Sequence, residues 1–419
     1  MKTKYNSYPK HKPSGIDWLG QIPENWETQR MKISFSLMKR PVRDKDEIVT
    51  AFRDGTVTLR RNRREKGFTN ALQENGYQGI RIGDLVIHGM DGFAGAIGIS
   101  DSEGKATPVY SVCSPKNKGI IPSYYAYLLR SLALSGYITS LSKGIRERST
   151  EFKWNIIGNL NLIRPPENIQ KQIPHFLDDK ITKLDQIIDK NSRLSKLLQE
   201  KRQAVITHTV TKGLNPHVKM KPSGLDWLGQ IPEEWETKRL RFLVTLQKGR
   251  KPEENTESPD GLPYLTMEFL RGQSEPTKYT LSQESVLVDN DQILLLWDGA
   301  NAGEFVKSSK GILSSTMVKI DFNKFKFNYK YYFYFFKSFE KKLRELTIGM
   351  GIPHVNGVLV RDCLTLIPSS LEREVIAKFL DKETGKIDEV VKKVQIQNQK
   401  LQEYRQALIS SAVTGKIRV

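Results

Sequence analysis

The sequence predicts an α+β protein: two mixed α/β domains in a pseudo-two-fold tandem repeat, separated by two long helices that form an antiparallel coiled coil. Three observations carry this reading. The passage Lys12–Arg30 recurs at Lys221–Arg239, 209 residues later, with identity at 16 of 19 positions. Two segments place apolar residues at alternating steps of three and four over about four heptads, a coiled-coil seam. Ahead of each lies a short apolar run followed by Asp-Gly, a turn signal.

The repeat extends well beyond its opening passage. Tyr124–Ser131 aligns with Tyr331–Ser338, Asp84 with Asp291, Asp91-Gly92 with Asp298-Gly299 and Gly144-Ile145 with Gly351-Ile352, all at an offset of 207. Further on, Gln199–Ala204 aligns with Gln402–Ala407 at an offset of 203. A two-fold repeat of this size is no solenoid, whose periods run from about 20 to 50 residues. It makes one chain do what two symmetric subunits could do.

The segments follow in order. Residues 1–25 are framework, 26–165 a first α/β domain and 166–213 a central helix. Residues 214–234 repeat the framework, 235–370 form a second α/β domain and 371–419 a closing helix. Within the domains, Leu85–His88, "YSVCS", Ile293–Leu296 and "MVKI" read as strands. The Tyr-rich stretches have a helical rhythm, and an aromatic stripe at matching positions in both repeats reads as shared core. The first seam comprises Leu177, Ile181, Leu184, Ile188 and Leu198. The second comprises Leu380, Ile387, Val391, Val394, Leu401 and Leu408. Asn191, Asn398, Arg202 and Arg405 interrupt these seams, either fixing register or lying at an exposed edge. Each helix should run about 40 residues, or about 60 Å. Gly213 and Gly415 follow where C-terminal caps sit.

With 66 Lys+Arg against 47 Asp+Glu, the formal net charge is +19. Such an excess favours a polyanion, nucleic acid before a membrane surface. The apolar stretches are too short to span a bilayer. Two distant cysteines imply no disulfide framework and suit a reducing cytoplasm, and the N-terminus leads into no apolar signal region. Candidate DNA contacts in the first domain are Lys39, Arg40, Arg60, Arg61, Arg63, Arg64, Lys143, Arg146 and Arg148. In the second they are Lys248, Arg250, Lys251, Arg271, Gln273, His354 and Asn356. Arg forks onto guanine and Asn or Gln onto adenine, whereas Lys and Arg on phosphate add affinity without reading sequence.

Catalytic sets are missing. There is no P-loop, no HExxH and no Cys/His metal spacing. Asp91 with Glu103-Gly104-Lys105 is a weak nuclease-like pattern that the second repeat lacks. No Asn-Pro-Pro-Tyr or Asp-Pro-Pro-Tyr methyltransferase centre occurs. The chain reads as a binding protein with no metal site and no active site of its own.

The duplicated "SGIDWLGQIPENWE" and "SGLDWLGQIPEEWE", the "WDGANAG" turn at Trp297–Gly303 and the closing "LQEYRQALISSAVTGKI" resemble the specificity subunits of type I restriction-modification systems. The resemblance runs over essentially the full length. In the first repeat the turn reads Gly89–Gly95, without the Asn seen at Asn301. The resemblance implies two target-recognition domains, each reading one half of a split, asymmetric site in double-stranded DNA. The paired helices would act as a ruler and dock two methyltransferase subunits carrying S-adenosylmethionine. Motor-nuclease subunits, using ATP and Mg, would join for cleavage. It also implies that "WLGQIPE" and "VTGKI" lie close together, with Trp18, Trp26, Trp227 and Trp235 packing the junction of helix and domain. The alternatives are an architectural coiled-coil DNA-binding protein, or a specificity subunit of a related restriction-methylation system that is not type I.

Overall fold

The computed structural model describes residues 5–63, 74–141, 152–224, 228–252, 256–280, 285–322, 328–349 and 351–419. The chain forms two units: residues 1–191 with 396–419, and residues 192–395. Each unit therefore takes its α/β domain from one stretch of chain and its helical part from both long helices.

In the first unit, strands β1 (Phe35–Leu37), β2 (Leu85–His88), β3 (Ile97–Ile99) and β4 (Tyr110–Pro115) form an antiparallel sheet of order β1-β4-β2-β3. Strand β2 is apolar throughout because both faces are covered. Leu85 and Ile87 join the core beneath helix α1 (Pro122–Leu134), while Val86 joins a second cluster with Val49, Val57, Ile80 and Val112. Pro122 opens α1, where its missing N–H costs nothing. The first long helix, α2 (Glu167–Lys212), follows.

The second unit repeats this plan. Strands β5 (Thr245–Lys248), β6 (Ile293–Leu296), β7 (Phe305–Lys307) and β8 (Met317–Asp321) take the order β5-β8-β6-β7. Ile293 and Leu295 face helix α3 (Tyr329–Glu345), while Leu294 and Leu296 face a cluster with Leu265 and Leu313. The second long helix is α4 (Ser370–Val413). At 46 and 44 residues, α2 and α4 are longer than the sequence suggested.

The repeated passage becomes the same device in each unit. His11–Pro13 pairs with Gln21–Pro23 as a hairpin, and Met220–Pro222 with Gln230–Pro232. The strand that follows, Glu27–Arg30 or Glu236–Arg239, pairs with the strand leading into the long helix, Asn161–Arg164 or Leu364–Ile367. Trp26 and Trp235 are almost wholly buried, and Trp18 packs on the same core as Trp26. Trp227 lies outside the described residues. The aromatic stripe is core: Tyr124, Tyr125, Tyr331, Tyr332, Phe335 and Phe336 are buried. Tyr124 donates to the carbonyl of Val413 (2.9 Å) and Tyr331 to that of Val210 (3.1 Å), so each aromatic helix ties down the last turn of a long helix.

Helix pairing is antiparallel. In the first unit Asp185 meets Arg405 at 3.2 Å and Asn191 donates to Asn398 at 2.8 Å, so one number rises as its partner falls. In the second unit Arg202 forks onto Asp388 at 2.9 and 3.2 Å. Of the four polar residues that interrupt the seam, Asn191, Asn398 and Arg202 thus hydrogen-bond across it and Arg405 forms an ion pair across it. Leu177, Ile181, Leu184, Leu380, Ile387, Val391, Val394 and Leu408 are buried; Ile188, Leu198 and Leu401 are half-buried. Gly213 and Gly415 take φ of 75° and 72° where the helices stop. A side chain on Gly415 would meet Pro23, and Ile417 joins the core of Ile22 and Trp26, so the closing segment lies on the opening framework.

Candidate nucleic-acid interface

In the first domain the basic residues divide into anchors and exposed groups. Arg40 forks onto Asp84, which is 4% exposed and also accepts the Arg81 N–H at 2.7 Å. Breaking a pair with a buried carboxylate leaves an uncompensated charge, so Arg40 fixes the turn before β2. Its neighbour Lys39 is exposed and lines a cavity of about 1050 Å³ with Tyr77, Met90 and Trp154.

Arg60 and Arg63 line a second cavity of about 720 Å³ with Arg53, His88 and Asp91. Arg63 forks onto Asp54 while its guanidinium lies 4.4 Å over the Phe52 ring. Burial alone would raise the Asp54 carboxyl. Hydrogen bonds from Arg63 and from the Thr56 N–H outweigh it and hold the group at about 2. Arg61 bonds Glu47 at 2.6 Å and Arg53 bonds Asp91 at 2.8 Å. Burial pushes the His88 imidazole down, and its Nδ1 accepts the N–H groups of Asp91 (2.9 Å) and Met90 (3.2 Å). Arg64, Lys143, Arg146 and Arg148 lie outside the described residues.

In the second domain the structure joins two distant candidates through an unpredicted third residue. Lys248 Nζ donates to Asp298 Oδ2 at 2.9 Å, and His354 Nδ1 meets Asp298 Oδ1 at 2.6 Å. Burial would raise the Asp298 carboxyl, but the bonds from His354 and Lys248 bring it below the usual range. Arg250, Lys251 and Gln273 are exposed. Arg271 forks onto Glu304, and Arg344 donates to Asn301 at 2.7 Å. Asn356 has a local duty: its Oδ1 accepts the Val358 N–H at 3.0 Å and caps a short helix.

The anchors of these cations, Glu47, Asp54, Asp84, Asp298 and Glu304, are not among the contacts the sequence predicts. The repeated Asp91 and Asp298 were the available signal. Exposed ion pairs are worth about 0–1 kcal/mol, so Arg61 and Lys248 can exchange a carboxylate for a phosphate at little cost. The nuclease-like pattern dissolves. Asp91 holds Arg53, Glu103 holds Arg43 and Lys105 holds Glu74. Among the described residues no cluster of His, Cys, Asp and Glu is arranged to hold a metal ion, and no helix is long and apolar enough to cross a membrane.

Residues 232–400 match the family model described as the type I restriction modification DNA specificity domain. The MjaVIII type I restriction enzyme specificity subunit of Methanocaldococcus jannaschii is 33% identical over 171 residues, an alignment spanning 40% of each chain. The putative MjaX specificity subunit of the same organism is 21% identical over 96% of both. The chain is thus similar to type I restriction-modification specificity subunits, over part of its length at 33% identity and over nearly all of it at 21%. A chain solved in work on complex assembly and conformational transition of the type I system shares its fold. It has a TM-score of 0.71 at 15% identity, covering 94% of this chain and 98% of that one. Two α/β domains with a pair of long helices are thus a fold shared with that chain, and the family-model match falls on the second domain and most of α4.

Proposed function

We propose that the chain is the non-catalytic DNA-targeting subunit of a cytoplasmic type I restriction-modification complex. Residues 26–165 and 235–370 act as target-recognition domains, each reading one half of a split, asymmetric site. Segments 1–25, 166–213, 214–234 and 371–419 form the framework whose helices set the spacing of the halves. The framework docks two methyltransferase subunits, which hold S-adenosylmethionine and modify adenine. Restriction subunits supply the ATP- and Mg-dependent cleavage.

The observation that carries this reading is one scaffold built twice with different polar loops. Both units share sheet order, aromatic helix and hairpin. Their surfaces instead carry Arg53, Arg60 and Arg63 in one and Lys248, Asp298 and His354 in the other. A shared scaffold with divergent loops suits two different half-sites. The test is a map of modified adenines across the native genome, with and without the gene. Loss of methylation at one split, asymmetric motif is the expected result. Unchanged methylation, with active partner enzymes in the cell, would leave an architectural DNA-binding protein.

A further inference from the structure

A short ribbon in the second domain presents an uncommon surface. Ile348 and His354 pair through both backbone bonds, at 2.9 and 2.7 Å. Its base is fixed to the domain: Gly299 N–H donates to Pro353 O at 3.0 Å and Val355 N–H to Trp297 O at 2.9 Å. Gly349 has φ 115°, and a side chain there would strike the Ile352 carbonyl at 2.6 Å, so the bend needs glycine. This held ribbon displays two isoleucines to water, Ile348 at 57% and Ile352 at 62% exposure. The His354 ring on the same stretch is half exposed and shares Asp298 with Lys248.

The chemistry of that edge is specific. Asp298 can only accept, so the 2.6 Å contact places a proton on His354 Nδ1. When the ring is neutral, Nε2 is left as an acceptor, its orientation fixed by the carboxylate. In the DNA major groove, which admits a two-stranded ribbon, acceptors meet the amino groups of adenine and cytosine, and apolar side chains meet the thymine methyl. Lys248, held by the same carboxylate, supplies charge that suits phosphate.

Resting on the specificity-subunit reading, we infer that the paired stretches 348–349 and 351–354 form the base-reading element of the second half-site. His354 Nε2 accepts from an adenine or cytosine amino group, and Ile348 and Ile352 pack on a thymine methyl. In sequence, the first repeat keeps the Gly-Ile of this segment at Gly144-Ile145 but aligns Glu147 with His354, with Lys143, Arg146 and Arg148 near it along the chain. Different groups at one position are what an asymmetric site demands.

The test uses the full chain, His354→Ala, His354→Gln and Ile352→Ser, each returned to a deletion strain with its native partner enzymes, followed by mapping of modified adenines. The side chains are exposed, so their truncation leaves the core intact. His354→Ala should lose roughly tenfold discrimination at one base pair of one half. His354→Gln, which keeps an acceptor, should retain more, and Ile352→Ser should relax a thymine position beside it. The other half should stay unchanged. Variants that keep the wild-type motif, or lose methylation without relaxing any position, overturn the ribbon's role while the specificity reading stands. If deletion of the gene alters no motif, the specificity reading itself falls, and the ribbon's role with it.

Discussion

Trp26 and Trp235 occupy equivalent places in the two units, but only one indole N–H is satisfied. Trp235 Nε1 donates to Glu372 Oε2 at 2.9 Å. The residue equivalent to Glu372 in the first unit is Ile169, which packs on the core, and Trp26 Nε1 finds no hydrogen-bond partner among the described residues. Phe in place of either Trp trims the same ring from the same kind of core, so the packing loss is similar. The polar consequences are opposite. Trp235→Phe removes a hydrogen bond to a charged group, about 1.5–3 kcal/mol. Trp26→Phe removes a buried, unpaired donor whose desolvation costs about 1–3 kcal/mol. Glu372 is only half-buried, which keeps the first figure near its lower end. Trp235→Phe should therefore destabilise its unit by about 3 kcal/mol more than Trp26→Phe destabilises the other. Because a two-unit chain need not unfold in one step, the assay is hydrogen exchange read by mass spectrometry. Protection of α1 and the Glu27–Arg30 strand is compared with that of α3 and Glu236–Arg239. Equal losses, or a larger loss for Trp26→Phe, would refute the reasoning.

Further expectations follow from other contacts. Replacing Asn191 and Asn398 together by Leu should stabilise the helix pair by about 1 kcal/mol while weakening its register, checked by denaturant unfolding and by cysteine cross-linking of α2 to α4. Gly385 lies inside α4 with open space around it, so Gly385→Ala should stabilise by about 1 kcal/mol. Gly415→Ala meets Pro23 and should lower the melting temperature instead. Cys113 and Cys363 are buried, and burial pushes both thiols up, Cys363 to about 12. A thiol reagent at pH 8 should therefore label neither thiol before unfolding and both after it. Asp54 is depressed to about 2 from an ordinary 3.8. Its pairing stabilises the first unit at neutral pH and fades as pH falls from about 4 towards 2. Arg63→Ala should flatten that acid dependence in a pH series of hydrogen exchange.

The strongly periodic parts of the fold were legible in the sequence, for physical reasons. The heptads, the Tyr-rich helices and the apolar strands each obey one period over several residues. What no period encodes is which long helix completes which unit. That depends on Tyr124 reaching Val413 and Tyr331 reaching Val210, contacts between segments 289 and 121 residues apart. The candidate site was legible only as charge. Arg40 and Asn356 look like surface ligands in sequence, yet one clamps Asp84 and the other caps a helix. Whether a cation is an anchor or a free hand is set by a carboxylate that folding brings to it. Asp298, 50 residues from Lys248 and 56 from His354, is such a case.

On the proposed function, one chain carries two independent reading modules on a common frame. The most direct measurement replaces residues 30–165 with the corresponding segment of a relative and maps modified adenines in a cell that carries the native partner enzymes. One half of the split motif should change while the other half and the spacer stay as they were. A change in both halves would contradict it.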